Sequence, residues 1–127
     1  LYSTNPKIAV MNMEEMSFED ARFDAVAIAN TLSYANDTRT ALTEVARVLK
    51  PGGRCSFSAT YDPDGSRWKE DAVSGSEIAK ILHEIGFEIV IHFASDKLNS
   101  EGRLQTSHHF SARRIAAEES RHDPFAL

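Results

Sequence analysis

Cysteine is nearly missing: Cys55 is the one thiol in 127 residues. It cannot form an internal disulfide, so a disulfide-built scaffold is excluded, and its place in an apolar run suits a small buried thiol in a reducing compartment. Long apolar stretches are missing too. Nothing approaches the roughly 20 consecutive apolar residues of a membrane helix, and no basic start precedes an apolar signal core. A cytoplasmic protein with no membrane partner is expected. Positive charge is in the minority, with 14 Lys and Arg against 19 Asp and Glu and a formal net charge of −5. A nucleic-acid groove needs a basic stripe that releases phosphate counterions, so small-molecule or protein partners are favoured. An initiator is also lacking: the chain opens on Leu1, as expected of a processed, truncated or incompletely represented product.

The remaining composition, 42% hydrophobic and 26% charged, is that of an ordinary globular domain. At this length a single domain buries roughly two-thirds of the surface that its unfolded chain exposes. No repeat or low-complexity tract divides it. One domain over residues 1–115 and a charged tail over 116–127, a short fraying helix, are expected.

Residues 7–11 form a short apolar run that predicts a buried strand, followed by an acidic stretch with a short helix. Residues 23–29 are almost continuously apolar apart from Asp24, the pattern of a strand covered on both faces in a parallel sheet. Asp37 is a good N-cap. After it, Leu42, Val45, Ala46 and Leu49 repeat at helical spacing, leaving Arg39, Glu44 and Arg47 to face water. Pro51 and Gly52-Gly53 predict a sharp helix stop. Cys55, Phe57 and Ala59 then alternate with Ser56 and Ser58 as a strand. The loop over 61–73 reads as a lid or as a solvated connection.

Ser74 to Glu77 offers a capping box for a helix with Ile78, Ile81, Leu82 and Ile85 on one stripe, closed by Gly86. Phe87, Ile89, Ile91 and Phe93 alternate as a strand over 87–94. A polar connection over 95–105 leads to an antiparallel strand over 107–113. The alternation predicts an α/β layered sandwich. His108 and His109 point to opposite faces of a strand, and His83, His92 and His122 show no ligand spacing, so no metal site is expected. Glu14-Glu15 and Glu118-Glu119 read as solvated pairs, and Asp24 as a structural strand-start residue.

Four segments in order, Asn12-Met13-Glu14-Glu15-Met16-Ser17-Phe18, Phe23-Asp24-Ala25-Val26, Asn30-Thr31-Leu32 and Val48-Leu49-Lys50-Pro51-Gly52-Gly53, resemble consecutive signatures of the class I S-adenosylmethionine-dependent methyltransferases, of the small-molecule, type 11-like kind. The resemblance is specific from about residue 7 to 60 and architectural over 74–113. It implies a Rossmann-like three-layer sandwich, mostly parallel with an antiparallel last strand, incomplete because the first two strands are absent. It also implies S-adenosylmethionine as cofactor.

Carried across by position, Asn12 stands where the family commonly has an Asp that binds the adenine amino group, and its amide oxygen can accept in place of a carboxylate. Met13 matches the neighbour that packs on the adenine. Ala29 and Asn30 match strand-end residues beside the methionine moiety, and Leu32 an apolar wall. Tyr34 stands where many small-molecule members carry His, and can hydrogen-bond a substrate. Tyr61, with Trp68 in the following loop, lines a substrate mouth or anchors that loop. Catalytic residues are not assigned, since methyl transfer chiefly demands alignment of the nucleophile.

The family's glycine-rich turn and ribose-binding acid belong before Leu1 by position, and the six glycines present build no such turn. The two missing strands belong between the 7–11 and 23–29 strands, so an open apolar edge is expected. Such an edge invites a complementing segment, an intertwined homodimer or a rearranged N-terminus. The expectation is a methyltransferase, or a fragment of one, inactive as this chain alone. The alternative is a non-catalytic methyltransferase-like interaction module.

Overall fold

Helix α1, Thr38–Val48, starts where a side chain can satisfy its first backbone donors. Asp37 accepts from the Arg39 backbone N–H at 3.2 Å and from the Thr40 hydroxyl at 2.6 Å. Its apolar stripe, Ala41, Leu42, Val45, Ala46 and Val48, is buried. Around it the computed structural model describes residues 8–29, 31–61, 75–98, 100–102 and 104–116. Strand β1 is Phe23–Ile28, β2 is Leu49–Tyr61, helix α2 is Gly75–Glu84, β3 is Phe87–Leu98 and β4 is Leu104–Arg114. The loop after Tyr61, Ser74 of the expected capping box and the tail from 117 onward lie outside the described residues.

The sheet order is β1-β2-β4-β3. β1 and β2 are parallel, and β4 runs antiparallel to both β2 and β3, so β1, β2 and β3 share one direction and only the last strand opposes them. This is the expected incomplete α/β arrangement. Leu42, Leu49, Cys55, Phe57, Ile78, Leu82, Phe87 and Phe110 fill the core, and each such side chain contributes about 1.5–3 kcal/mol by leaving water. The Phe57 and Phe110 rings stack at 5.2 Å, and the His92 ring lies on Phe110 at 4.2 Å. Burial pushes the Cys55 thiol up to about 12.

Five expectations need correction. The helix ends at Val48, and the Pro51-Gly52-Gly53 turn is a bulge inside β2. Phe23 pairs with Leu49 but Ala25 with Arg54, so β2 takes five steps where β1 takes two. Gly52 adopts φ +83°, and a Cβ on Gly53 would lie 2.8 Å from the Lys50 carbonyl oxygen and 3.0 Å from that of Asp24. Pro51 has no N–H to offer the Arg47 carbonyl, so the helix stops before it, and Ala21 and Arg22 each donate at 2.8 Å, to the Arg47 and Val48 carbonyls left open.

Second, residues 8–11 form no strand, and Ile8 and Val10 are 89% and 101% exposed. Among the described residues no strand lies beside them to accept ladder hydrogen bonds. Third, no helix follows; Asn12 and Glu15 close a tight turn by an isolated bridge. Fourth, β1 is only half-buried instead of covered on both faces: Val26 and Ile28 pack against the core, while Asp24, Ala25 and Ala27 are exposed. Fifth, residues 95–98 and 104–105 extend the β3–β4 hairpin. Asp96 faces Thr106 and accepts its hydroxyl at 2.6 Å, a cross-strand bond that sustains pairing where the apolar alternation has ended.

Candidate functional site

The chain leaves β1 at Ile28 and enters α1 at Thr38, so residues 29–37 lie at the carboxyl end of a parallel strand, the side where open α/β sheets hold ligands. Ala29 is exposed there, and Asn30 lies outside the described residues. A single 3-10 turn, Leu32–Tyr34, follows, closed by Tyr34 N–H to the Thr31 carbonyl at 3.0 Å and Ala35 N–H to that of Leu32 at 3.1 Å. It sends its two ends different ways: Leu32 is 2% exposed in the core, and Tyr34 is 60% exposed. Leu32 therefore supports the site from beneath.

The Asn12 turn reaches this end of β1 through a side chain. Glu14 Oε1 accepts the Asp37 backbone N–H at 2.7 Å, fastening the turn to the start of α1. Asn12 Oδ1 accepts the Glu14 N–H at 2.9 Å, and Met13 is half-buried against the core. Asn12, Met13, Ala29, Leu32 and Tyr34 thus gather at one end of the sheet. Tyr61 does not join them. Ile28 pairs with Phe57, and β2 runs on four residues to Tyr61, roughly 13 Å further along the strand.

The chemistry of these side chains is compatible with one side of S-adenosylmethionine. The Asn12 amide oxygen keeps a second lone pair beyond the one given to Glu14. Met13 follows it in the chain with a polarizable thioether, half-buried against the core, and Ala29 is small and exposed at the strand end. The glycine turn and the ribose-binding acid have no counterpart among them.

Helical periodicity leaves Glu44 and Arg47 in water, and this misses a polar cluster further along α1. Glu44 Oε1 and Oε2 accept from Arg47 Nε at 2.6 Å and Nη2 at 3.0 Å. The same guanidinium donates to the Met16 carbonyl at 2.9 Å, the Phe18 carbonyl at 2.7 Å and the Asp20 carboxylate at 2.8 Å. Glu44 Oε2 also accepts the Met16 N–H at 2.7 Å. The bond from Arg47 holds the Glu44 carboxyl below its ordinary range, and the bonds to Glu44 and Asp20 raise Arg47 further above its own. No spacing rule reports partners this distant in sequence.

A second grouping lies across β3 and β4. His92 Nε2 and His108 Nδ1 are 3.1 Å apart, and His109 Nε2 is 3.1 Å from the Ser95 hydroxyl. Burial lowers His108, with His92 and His109 adding to the effect and Asp96 opposing it. Among the described residues no three His, Cys, Asp or Glu side chains converge as metal ligands. An open groove of about 500 Å³, lined by His83, Phe87, Glu88, Ile89, Arg113 and Ile115, sits at the amino end of β3, away from the Asn12 turn. It contains none of the residues that the sequence singled out for binding.

Residues 2–57 match the methyltransferase-domain family. The chain is 30% identical over 106 residues to O-methyltransferase rstn1 of Aspergillus nomiae, covering 70% of this chain and 47% of that protein. It spans less than half the length of the curated relatives that it matches. A SAM-dependent methyltransferase from Methanosarcina mazei superposes with a TM-score of 0.65 at 18% identity, over 84% of this chain and 66% of that one. Phosphoethanolamine N-methyltransferase 2 of Haemonchus contortus, solved in complex with S-adenosylhomocysteine, gives a TM-score of 0.64 at 14% identity, over 84% and 37%. The structural likenesses carry the fold past residue 57, where the family match ends.

Proposed function

The chain belongs to the class I S-adenosylmethionine-dependent methyltransferases, and from that premise we propose that it serves methyl transfer to a small-molecule acceptor, with residues 12–34 forming one wall of the cofactor site. The observation that carries this reading is the Glu14–Asp37 bond, which places the Asn12-Met13 turn at the carboxyl end of β1. In this wall the Asn12 amide oxygen accepts from the adenine amino group and the Met13 thioether packs on the ring. The backbone at Ala29 and Asn30 borders the methionine moiety, above the support given by Leu32. Tyr34 hydrogen-bonds the acceptor, and Tyr61 lies further out toward the substrate mouth. When bound, the cofactor supplies a methyl group already activated by the sulfonium, so these residues need only orient the partners and exclude water.

The rest of the site comes from residues outside this chain or from a partner chain. Support for this lies in β1, an edge strand whose backbone is paired on one side only among the described residues. A homo-oligomer or a complementing chain at that edge, acting in the cytoplasm, completes the proposal, and the chain alone is expected to be inactive.

Calorimetric titration with S-adenosylhomocysteine tests it. Asn12→Ala is expected to weaken binding about tenfold, the worth of one hydrogen bond. Asn12→Asp is expected to tighten it, because a carboxylate accepts more strongly than an amide. A non-catalytic interaction module is the second reading, favoured by Asn12 standing in place of the family's acid. No heat at millimolar ligand would reject cofactor binding by this chain in favour of that module.

A further inference from the structure

We infer that Glu44 and Arg47 are positioning residues for the cofactor-side turn, fastening residues 12–22 to helix α1 where the sheet does not hold them. The inference rests on the cofactor reading of Asn12 and Met13. Residues 8–11, which lead into the turn, are not paired as a strand, so sheet hydrogen bonds do not fix its place.

What fixes it is α1, along its whole length. At the amino end Glu14 accepts from Asp37. In the next turns Glu44 accepts from Met16, and Arg47 donates to the Met16 and Phe18 carbonyls and to Asp20. At the carboxyl end Ala21 and Arg22 donate to the last helix carbonyls. The segment therefore runs beside α1 from start to finish before β1 turns back. Glu44 holds the guanidinium by two nitrogens, which leaves its remaining N–H groups aimed at the segment. That task needs a planar fork with several fixed donors. A lysine ammonium, a point charge on a flexible stem, cannot repeat it.

The test uses the full chain with Arg47→Lys, Glu44→Gln and, as a control on the same helix, Arg39→Lys, whose side chain pairs with Glu84 away from the segment. Residue-resolved amide exchange and S-adenosylhomocysteine titration are measured on each. In Arg47→Lys the Glu15 and Met16 amides are expected to exchange about tenfold faster, following loss of charged hydrogen bonds. The Val45 and Ala46 amides inside α1 should keep their wild-type rates, and the ligand dissociation constant should rise by about the same factor. Glu44→Gln keeps one acceptor oxygen and should fall between wild type and Arg47→Lys, while Arg39→Lys matches wild type.

Unchanged Glu15 and Met16 exchange in Arg47→Lys would overturn the inference. So would faster exchange with unchanged affinity, which marks a purely structural pair. Failure of the wild-type chain to bind the ligand rejects the cofactor reading instead, and the exchange rates then decide whether the pair fastens the turn.

Discussion

Residues 49–61 together with 75–98 and 104–114 are held by backbone, whereas residues 12–20 are held largely by side chains. β4 is paired along both of its edges, and α2 lays Ile78 and Leu82 into the core. On the other side, β1 is paired along one edge, and the turn before it hangs on Glu14, Glu44 and Arg47. The difference separates two properties. The body specifies the fold through many replaceable apolar contacts. The arm specifies the candidate site through a few polar groups, each tied to one geometry. Substitutions in the body should therefore change stability, and those in the arm should change binding more than stability.

The largest effect that can break this comparison comes from the body. Phe110→Ala removes a ring stacked between Phe57 and His92 and is expected to cost about 3–5 kcal/mol in urea unfolding. Val10→Ala, in the segment that leads into the arm and with its side chain in water, should stay within about 0.5 kcal/mol. Comparable losses at the two positions would erase the distinction. Next is Gly75→Ala at the start of α2, where a Cβ would lie 2.5 Å from the His108 ring. Overpacking there should cost about 1–3 kcal/mol, and a neutral result would show that the ring is free to move away. Asp37→Ala removes the cap of α1 and should cost about 1 kcal/mol. It leaves the Asp37 N–H bond to Glu14 in place, so ligand affinity should change little.

Acid titration gives the smallest and sharpest contrast. His108 in the folded body has its proton affinity lowered below the ordinary 6.5, chiefly by burial and then by His92. The unfolded chain therefore takes up that proton first, so the contribution is complete above pH 6.5 and declines as pH falls below it toward the folded value. Glu44, which holds the arm from α1, is lowered below 4.5 by its bond from Arg47. Its contribution persists above pH 4.5 and is lost as pH falls through the folded value. Urea midpoints measured from pH 7 to 3 should show the body weakening before the arm. His108→Gln should flatten the upper slope and Glu44→Gln the lower. A profile unchanged by either substitution would reject both assignments.

Much of the fold was legible because its signals are local. The Asp37 cap, the stripe of Leu42 and Val45, the alternation of Cys55, Phe57 and Ala59, and the Gly86 stop at φ +100° each follow from residues within a few positions. The rest depended on neighbours in space. Pro51 to Gly53 reads as a helix stop until the β1 register makes it a bulge. Residues 8–11 have strand chemistry and, among the described residues, no strand beside them. The bulge between Ile89 and Ile91 resets the β3 register, and only that register brings His92 to His108. At the site, family resemblance supplied Asn12 and Met13 as candidates, but the bonds that place them join residues 23 to 31 positions apart. No periodicity carries that information.

The central claim is that the Asn12 turn and the carboxyl end of β1 form one face of an S-adenosylmethionine site, and backbone NMR titration of the chain with S-adenosylhomocysteine tests it most directly. Saturating shifts confined to Asn12, Met13, Glu14, Ala29 and the Leu32–Tyr34 turn are the expected result. Absence of shifts up to millimolar ligand, or shifts centred on the groove between His83 and Arg113, would contradict it.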